Sequence, residues 1–234
     1  MDTARDNADA PTSRGPAVSR TGKNRTHGGH TSRQLILDFA ALLFSTRGFT
    51  ATTMREIATG VGIKSGSIYY HFESKEQILS EVLTTAVNTT RVAVGQAIDS
   101  LSPDATPQER IIAGIRSHIS TLYANIAYTS ANVRYHGQIP ESVNNAVRPA
   151  REEYNQYWSR LLEDAAVANY LKPDLNISLT KSMILSSMNN TIGWYDASRG
   201  DVEQLINTIL IGFSGIWASP QASPSEPQDK TKND

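Results

Sequence analysis

The side chains best placed to do chemistry gather in one short stretch. Lys64, Ser65, Gly66 and Ser67 are followed, after Ile68, by Tyr69, Tyr70 and His71, with Thr53 upstream and Lys75 downstream. Hydroxyl, phenol, imidazole and ammonium groups donate hydrogen bonds to phosphate oxygens and exchange them with base edges. Gly66 leaves room for close backbone approach, and Ser67 can donate or accept. Tyr69 and His71 carry polar tips suited to phosphates. Lys75 would open a helix, where the dipole disfavours a cation, and a phosphate beside it would account for the placement. The chemistry on offer is non-covalent recognition of a polyanion. No Asn, Gln or Arg stands on the outer side of the stretch, and Lys64 is the only long side chain entering it, so the base it reads is left open. The bland alternative is a set of surface residues on a core helix.

Other chemistries find less support. The chain has no cysteine, which excludes disulfides, thiolate nucleophiles and Cys-ligated zinc and suits a reducing cytoplasm. His27-Gly28-Gly29-His30 offers two imidazoles with no further ligand, so no metal is expected. Gly60-Val61-Gly62-Ile63-Lys64-Ser65-Gly66 places its last glycine one residue late for a dinucleotide fingerprint, and a helix precedes it where a strand is needed. Gly212-Phe213-Ser214-Gly215 misplaces the second glycine of a nucleophile elbow and has no sheet to carry it. His118 and His136 lie on separate helical segments and read as satisfied, partly buried side chains. No enzyme activity and no cofactor are expected.

At 234 residues and 39% hydrophobic content the chain can bury one large core or two small ones. Its N-terminus is polar, so no signal peptide is visible. The most apolar run, 206–218, is too short and too interrupted for a membrane span. The formal net charge is only −1, yet residues 14–75 carry nine basic side chains against three acidic ones. A basic end on an otherwise acidic chain is the footprint expected for phosphate contact, or else solvated surface charge.

The elements that must position these residues are helical. Residues 31–47 carry an apolar stripe of Leu35, Ile36, Phe39, Leu42 and Leu43, ended by Gly48. Met54, Ile57, Ala58 and Val61 fall on one face of a second helix that Thr52 and Thr53 can cap. Small Ala58 would let another helix cross closely, and Gly62 opens a turn. A short third helix over 65–72 turns Ile68 and Phe72 inward. Ser74 starts a long helix to about 100 with a Ser-x-x-Gln capping box completed by Gln77. Thr106-Pro107-Gln108-Glu109 starts the next, and further helices are expected at 128–138, 141–168 (with Pro149 as a point of bending), 176–197 and 202–217. Residues 1–30 form a polar, basic arm and 219–234 a Pro/Ser-rich tail, both expected to be disordered.

At these residues the chain resembles the tetracycline-repressor (TetR) family. The matching residues are Ile68-Tyr69-Tyr70-His71-Phe72 and Ser74-Lys75-Glu76-Gln77-Ile78-Leu79, with Arg47-Gly48-Phe49, Thr52-Thr53 and Glu56-Ile57-Ala58 upstream. The resemblance covers about residues 33–83. It implies an all-α homodimer with an N-terminal three-helix helix-turn-helix domain, 31–76, its motif at 53–72. A larger helical ligand-binding and dimerisation domain, 77–218, would follow. It also implies that the second helix of the motif lies in the DNA major groove.

The resemblance assigns no ligand residues, but polar and aromatic side chains stand among the C-terminal apolar faces. Tyr123, Arg134, Tyr154, Trp158, Asn189, Asn190 and Trp194, with Tyr135 and His136, could line a pocket between helices, or could be core. Such a mixture fits an effector with a large apolar part. Lys172-Pro173-Asp174-Leu175 and Gly193-Trp194-Tyr195 resemble family members that respond to acyl-CoA thioesters. The last two helices carry Met188 and Ile192, then Leu205, Ile209 and Phe213, a stripe broad enough for a two-fold four-helix interface. The reading is a cytoplasmic, sequence-specific DNA-binding regulator, a repressor in preference to an activator, that binds a palindromic operator and answers to a small-molecule effector. The alternative is a helical binding protein or enzyme that carries the module for another purpose.

Overall fold

The computed structural model describes residues 32–134 and 139–218, with the side chains of 132–134 left out. The polar arm, the C-terminal tail, His27, His30, Tyr135 and His136 lie outside the described residues, as does the side chain of Arg134. Among the described residues eight α-helices follow in order: α1 Ser32–Arg47, α2 Met54–Gly60, α3 Lys75–Asp99, α4 Pro107–Ala124, α5 Ile126–Arg134, α6 Glu141–Val167, α7 Ile177–Trp194 and α8 Val202–Gly212. The fold is all-α, as the periodicity predicts. The one strand-like pairing among the described residues is an isolated bridge between Leu171 and Trp217.

The helix starts follow the capping rules. Thr53 Oγ1 accepts from Glu56 N at 3.2 Å, while Thr53 N donates to Glu56 Oε2 at 2.8 Å. Thr106 and Glu109 repeat the pattern ahead of Pro107. At Ser74 the expected box is only half made: Ser74 Oγ accepts from Gln77 N, but the Gln77 amide oxygen takes the N–H of Glu73. Gly48 (φ 98°) and Gly62 (φ 73°) adopt the left-handed backbone that ends α1 and α2.

Four expectations are corrected. The α1 stripe is rotated: Ile36, Leu37, Ala40, Ala41, Leu43 and Phe44 are buried, and Leu42 is 48% exposed. Ala40 and Ala41 make that face flat enough for close packing. The helix over 65–72 is a single 3-10 turn, Ser67–Tyr70. Ser65, Gly66 and Ser67 are weak helix formers and leave too little chain to continue it. The helix at 128–138 starts earlier, and the terminal helix stops at Gly212. After it a 3-10 turn, Ser214–Ile216, leads Trp217 back along Leu171, with Lys172 N donating to Ile216 O at 3.0 Å.

Two apolar cores result, and α3 runs through both. Ile78, Leu79, Val82 and Leu83 join α1, α2 and the 3-10 turn through Phe44, Ile57, Ile68 and Phe72. Val87, Val94 and Ile98 join α4, α6, α7 and α8 through Ile115, Trp158, Met188 and Leu205. Ala131 of α5 and Val143 and Val147 of α6 pack into the first core. A boundary at residue 76 therefore cuts the sequence but not the packing. α2 also lies so close on α1 that a Cβ at Gly60 would fall 1.9 Å from Phe39 Cε1.

Candidate functional site

The turn after α2 presents what the sequence offers for a polyanion. Tyr70 is 89% exposed and Tyr69 58%, while Ile68 and Phe72 between them are buried and hold the turn to the core. Lys64, Ser65 and Gly66 are exposed and Ser67 and His71 half-buried. A Cβ placed at Gly66 would meet nothing within 4 Å. Two residues serve elsewhere. Thr53 spends its hydroxyl on the α2 cap, accepting from Glu56 N and donating to the Glu56 carboxylate. Lys75 Nζ donates to the carbonyls of Phe49 and Thr52 at 2.8 and 2.7 Å and lies 4.3 Å from the centre of the Phe49 ring. Two inward carbonyl dipoles account for its place in the first turn of α3. Arg33, though partly exposed, is likewise engaged within the fold, paired with Glu81 and stacked over Phe72.

A second feature lies between α3, α4, α5, α6 and α7. A cavity of about 260 Å³ is walled by Ala86, Val87 and Thr90, by His118 and Leu122, by Thr129, by Arg151, Tyr154 and Asn155, and by Ser182, Leu185, Ser186 and Asn189. Of the expected ligand residues it contains Tyr154 and Asn189. Trp158 is fully buried in the core, and Tyr123 packs edge-on to Tyr195 at 5.1 Å. Asn190 and Trp194 line a shallow groove between α7 and α8 instead. The polar lining residues Thr90, His118, Thr129, Arg151, Asn155, Ser182 and Ser186 were not assigned to a pocket from the sequence. Their spacing within each helix carries no signal, because five helices supply the wall.

His118 organises that wall. Its Nδ1 lies 2.7 Å from the Tyr154 hydroxyl and its Nε2 3.2 Å from Asn189 Oδ1, so one imidazole ties α4 to α6 and α7. An amide oxygen only accepts, so Nε2 bears the proton and Nδ1 accepts from Tyr154. Burial drives the His118 pKa from 6.5 to about 4, only partly offset by the Asn189 bond, and raises that of the Tyr154 phenol. Because the folded pKa lies below the unfolded one, the unfolded chain takes up the proton first. The stabilisation is whole above about pH 6.5 and drains as pH falls towards 4, roughly 2 kcal/mol being lost by pH 5. Urea midpoints at pH 7.5 and 5 should therefore differ less for His118→Gln than for the unchanged protein. Equal differences would show that this imidazole is not held neutral.

One hydrogen-bonded cluster joins the cavity wall to α1, against which α2 is packed. Tyr128, next to Thr129, donates to Asp38 Oδ1 at 2.6 Å, and Gln34 Nε2 reaches both Asp38 Oδ1 at 2.8 Å and the Tyr128 hydroxyl at 3.1 Å. Burial first, and then the Asp38 carboxylate, hold the Tyr128 phenol well above its ordinary pKa. Thus α5 touches the cavity with one residue and α1 with the preceding one.

Two sequence profiles match. One, described as bacterial regulatory proteins of the tetR family, covers residues 36–82, and the other, described as a tetracyclin repressor-like C-terminal domain, covers 104–206. The chain belongs to the TetR family. It is a helix-turn-helix DNA-binding transcriptional regulator, and the exposed Lys64–Tyr70 stretch falls in its DNA-binding module. Curated relatives include the HTH-type transcriptional repressor KstR2 of Rhodococcus jostii, 29% identical over 208 residues, spanning 85% of this chain and 95% of that one. The KstR2 of Mycolicibacterium smegmatis is 27% identical over 163 residues, 70% of this chain and 78% of that one. Among solved structures, the ketosteroid transcriptional regulator KstR2 of Mycobacterium tuberculosis superposes with a TM-score of 0.66 at 27% identity, over 80% of this chain and 95% of that one. AibR, solved in complex with isovaleryl coenzyme A and operator DNA, gives 0.68 at 19% identity over 76% of this chain and 95% of that one. At that identity it attests the fold alone.

For this TetR-family chain the expected interface residues divide. Met188, Leu205 and Phe213 are buried in the subunit's own core, since a helical stripe does not say which of two surfaces it faces. Ile192 and Ile209 are half-buried. The outward apolar side chains of the last two helices are Leu179, Met183, Trp194 and Ile211, exposed by 49% or more. No helix among the described residues is long and apolar enough to cross a membrane.

Proposed function

We propose that the protein is a cytoplasmic repressor that binds a palindromic operator as a homodimer and whose grip on DNA is set by a small molecule in the cavity. The observation that carries this is the placement of α5, which walls the cavity with Thr129 and holds α1 through Tyr128 and Asp38. A ligand pressing on Thr129 bears on the adjacent residue, and through it on the helix against which α2 and the exposed turn are packed. The KstR2 relatives, named as repressors, support repression over activation. They also support regulation without catalysis. The outward apolar residues of α7 and α8 support a two-fold interface. That symmetry would set two exposed turns about 34–36 Å apart, one DNA turn, and so require an inverted repeat.

Mobility shifts with the DNA upstream of the protein's own gene test the reading. Lys64→Ala should weaken binding to operator and random DNA alike and flatten the salt slope by about one unit. Tyr70→Ala and Ser67→Ala should cost on the order of 1–3 kcal/mol, with the larger loss on the operator. Folded variants that bind the operator as the unchanged chain does would place the DNA-binding surface elsewhere.

A further inference from the structure

We infer that residues 14–31 are a second DNA contact, a string of cations that neutralises phosphates on the flanks of the operator, outside the span of the exposed turn, and supplies most of the salt-dependent affinity. This rests on the DNA-binding role of the exposed turn and adds a separate grip to it.

The folded module is short of cations that can meet phosphate. Residues 32–75 hold five basic side chains and three acidic ones. Arg33 pairs with Glu81, Arg47 pairs with Glu56 at 3.6 Å, and Lys75 Nζ donates to the carbonyls of Phe49 and Thr52. That leaves Arg55 and Lys64, both exposed and, among the described residues, neither in an ion pair. Glu73, exposed just past the turn, opposes them. A two-fold pair would then bring only about four such cations to the duplex, against roughly six to ten phosphate contacts for a protein with a steep salt dependence.

The missing charge stands directly upstream. Residues 14–31 carry Arg14, Arg20, Lys23 and Arg25 and no acidic residue, whereas residues 1–13 carry Asp2, Asp6 and Asp9 with Arg5. The acids are confined to the part of the sequence farthest from the fold. Charge kept only for solubility needs no such order.

The fold starts this stretch at the right place. Arg33, the second residue of α1, holds its guanidinium carbon 4.5 Å from the centre of the Phe72 ring. Phe72 directly follows Tyr69, Tyr70 and His71 in the chain. The chain preceding Ser32 therefore joins the fold beside the surface that faces DNA. Its length is sufficient. Arg25 stands seven residues before Ser32 and can lie up to about 25 Å from it, more than the roughly 17 Å of half a DNA turn. With the exposed turn in one major groove, Lys23 and Arg25 of the same subunit are within range of the flanking phosphates.

Mobility shifts on the full chain test this, with Arg14→Gln, Arg20→Gln, Lys23→Gln and Arg25→Gln combined. The probes are the footprinted operator with about ten base pairs of native flank on each side, the same operator trimmed to its core, and a random duplex. The combined substitution should weaken binding about a hundredfold at 0.1 M salt on operator and random DNA alike. It should flatten the salt slope by about three units or more, against the one unit expected for Lys64→Ala. Urea midpoints should stay those of the unchanged chain. Trimming the flanks should cost the unchanged chain most of this affinity and the substituted chain less than about threefold. A salt slope within about one unit of the original, a loss confined to the operator, or equal sensitivity of both chains to flank length would each overturn the inference. Tyr70→Ala keeps the two readings apart. If it removes the preference for operator while the combined substitution changes nothing, the turn binds DNA and residues 14–31 do not. If only the combined substitution weakens binding, the second contact stands and the role of the turn falls.

Discussion

Met183→Glu combined with Trp194→Glu is expected to leave a folded monomer that binds the operator about a hundredfold or more weakly than the unchanged chain. Both side chains are about half exposed, and both border the groove between α7 and α8 that Ile209 and Phe213 also line. A carboxylate there costs the isolated subunit little, because it faces water. In a two-fold interface each substitution occurs twice, so four carboxylates would be taken out of water beside apolar neighbours with no cation supplied. Losing the dimer turns a bivalent contact with two half-sites into a monovalent one, and the local concentration of the second module disappears. Sedimentation velocity at micromolar concentration and a mobility shift on the full operator read the two effects. A dimer that persists with both glutamates in place would move the interface off this groove.

Trp158→Ala is expected to cost about 3–5 kcal/mol of stability and to act on the ligand response only through that loss. The indole is fully buried, sits edge-on to Tyr154 with ring centres 6.4 Å apart, and lies so close to α4 that a Cβ at Gly114 would come within 3.2 Å of it. Truncation leaves a hole that α4 and α6 cannot close without moving the His118–Tyr154 bond. Urea unfolding at pH 7.5 gives the number. A loss below about 1 kcal/mol, with a changed ligand affinity, would return Trp158 to the cavity wall where the sequence placed it.

These two cases mark what was legible in the sequence. Helices, caps and turns are local, and they were largely readable: the Thr53 cap and the Thr106–Glu109 box follow from spacing alone, while the Ser74–Gln77 box is only half made. The exposed turn was readable too, since Ile68 and Phe72 are the apolar residues of that segment and must turn inward. The choice between one buried surface and another was not. Met188, Leu205 and Phe213 look the same whether they face their own core or a partner, because periodicity gives a face but not its occupant. Trp158 and Tyr154 stand four residues apart on one helical side, yet one is sealed in the core and the other opens on the cavity, a difference set by α4 and α7. The His118–Asn189 contact spans 71 positions, and Lys75 reaches back 26 to Phe49. Neither leaves a mark within a helical window. Gly60 was read as part of a rejected glycine pattern, and its function is only spatial: it makes room for the Phe39 ring.

The continuity of α3 has a mechanical consequence. Its 25 residues make a rod about 37 Å long, with Ser74 at its DNA end and Ile98 in the far core. No glycine or proline interrupts it except Gly95, which lies in its last turns. A tilt of about 5° about the far end would therefore swing the near end by roughly 3 Å, carrying the exposed turn with it. In a two-fold pair the two displacements oppose one another, so the spacing of the reading heads would change by up to about 6 Å while each module kept its shape.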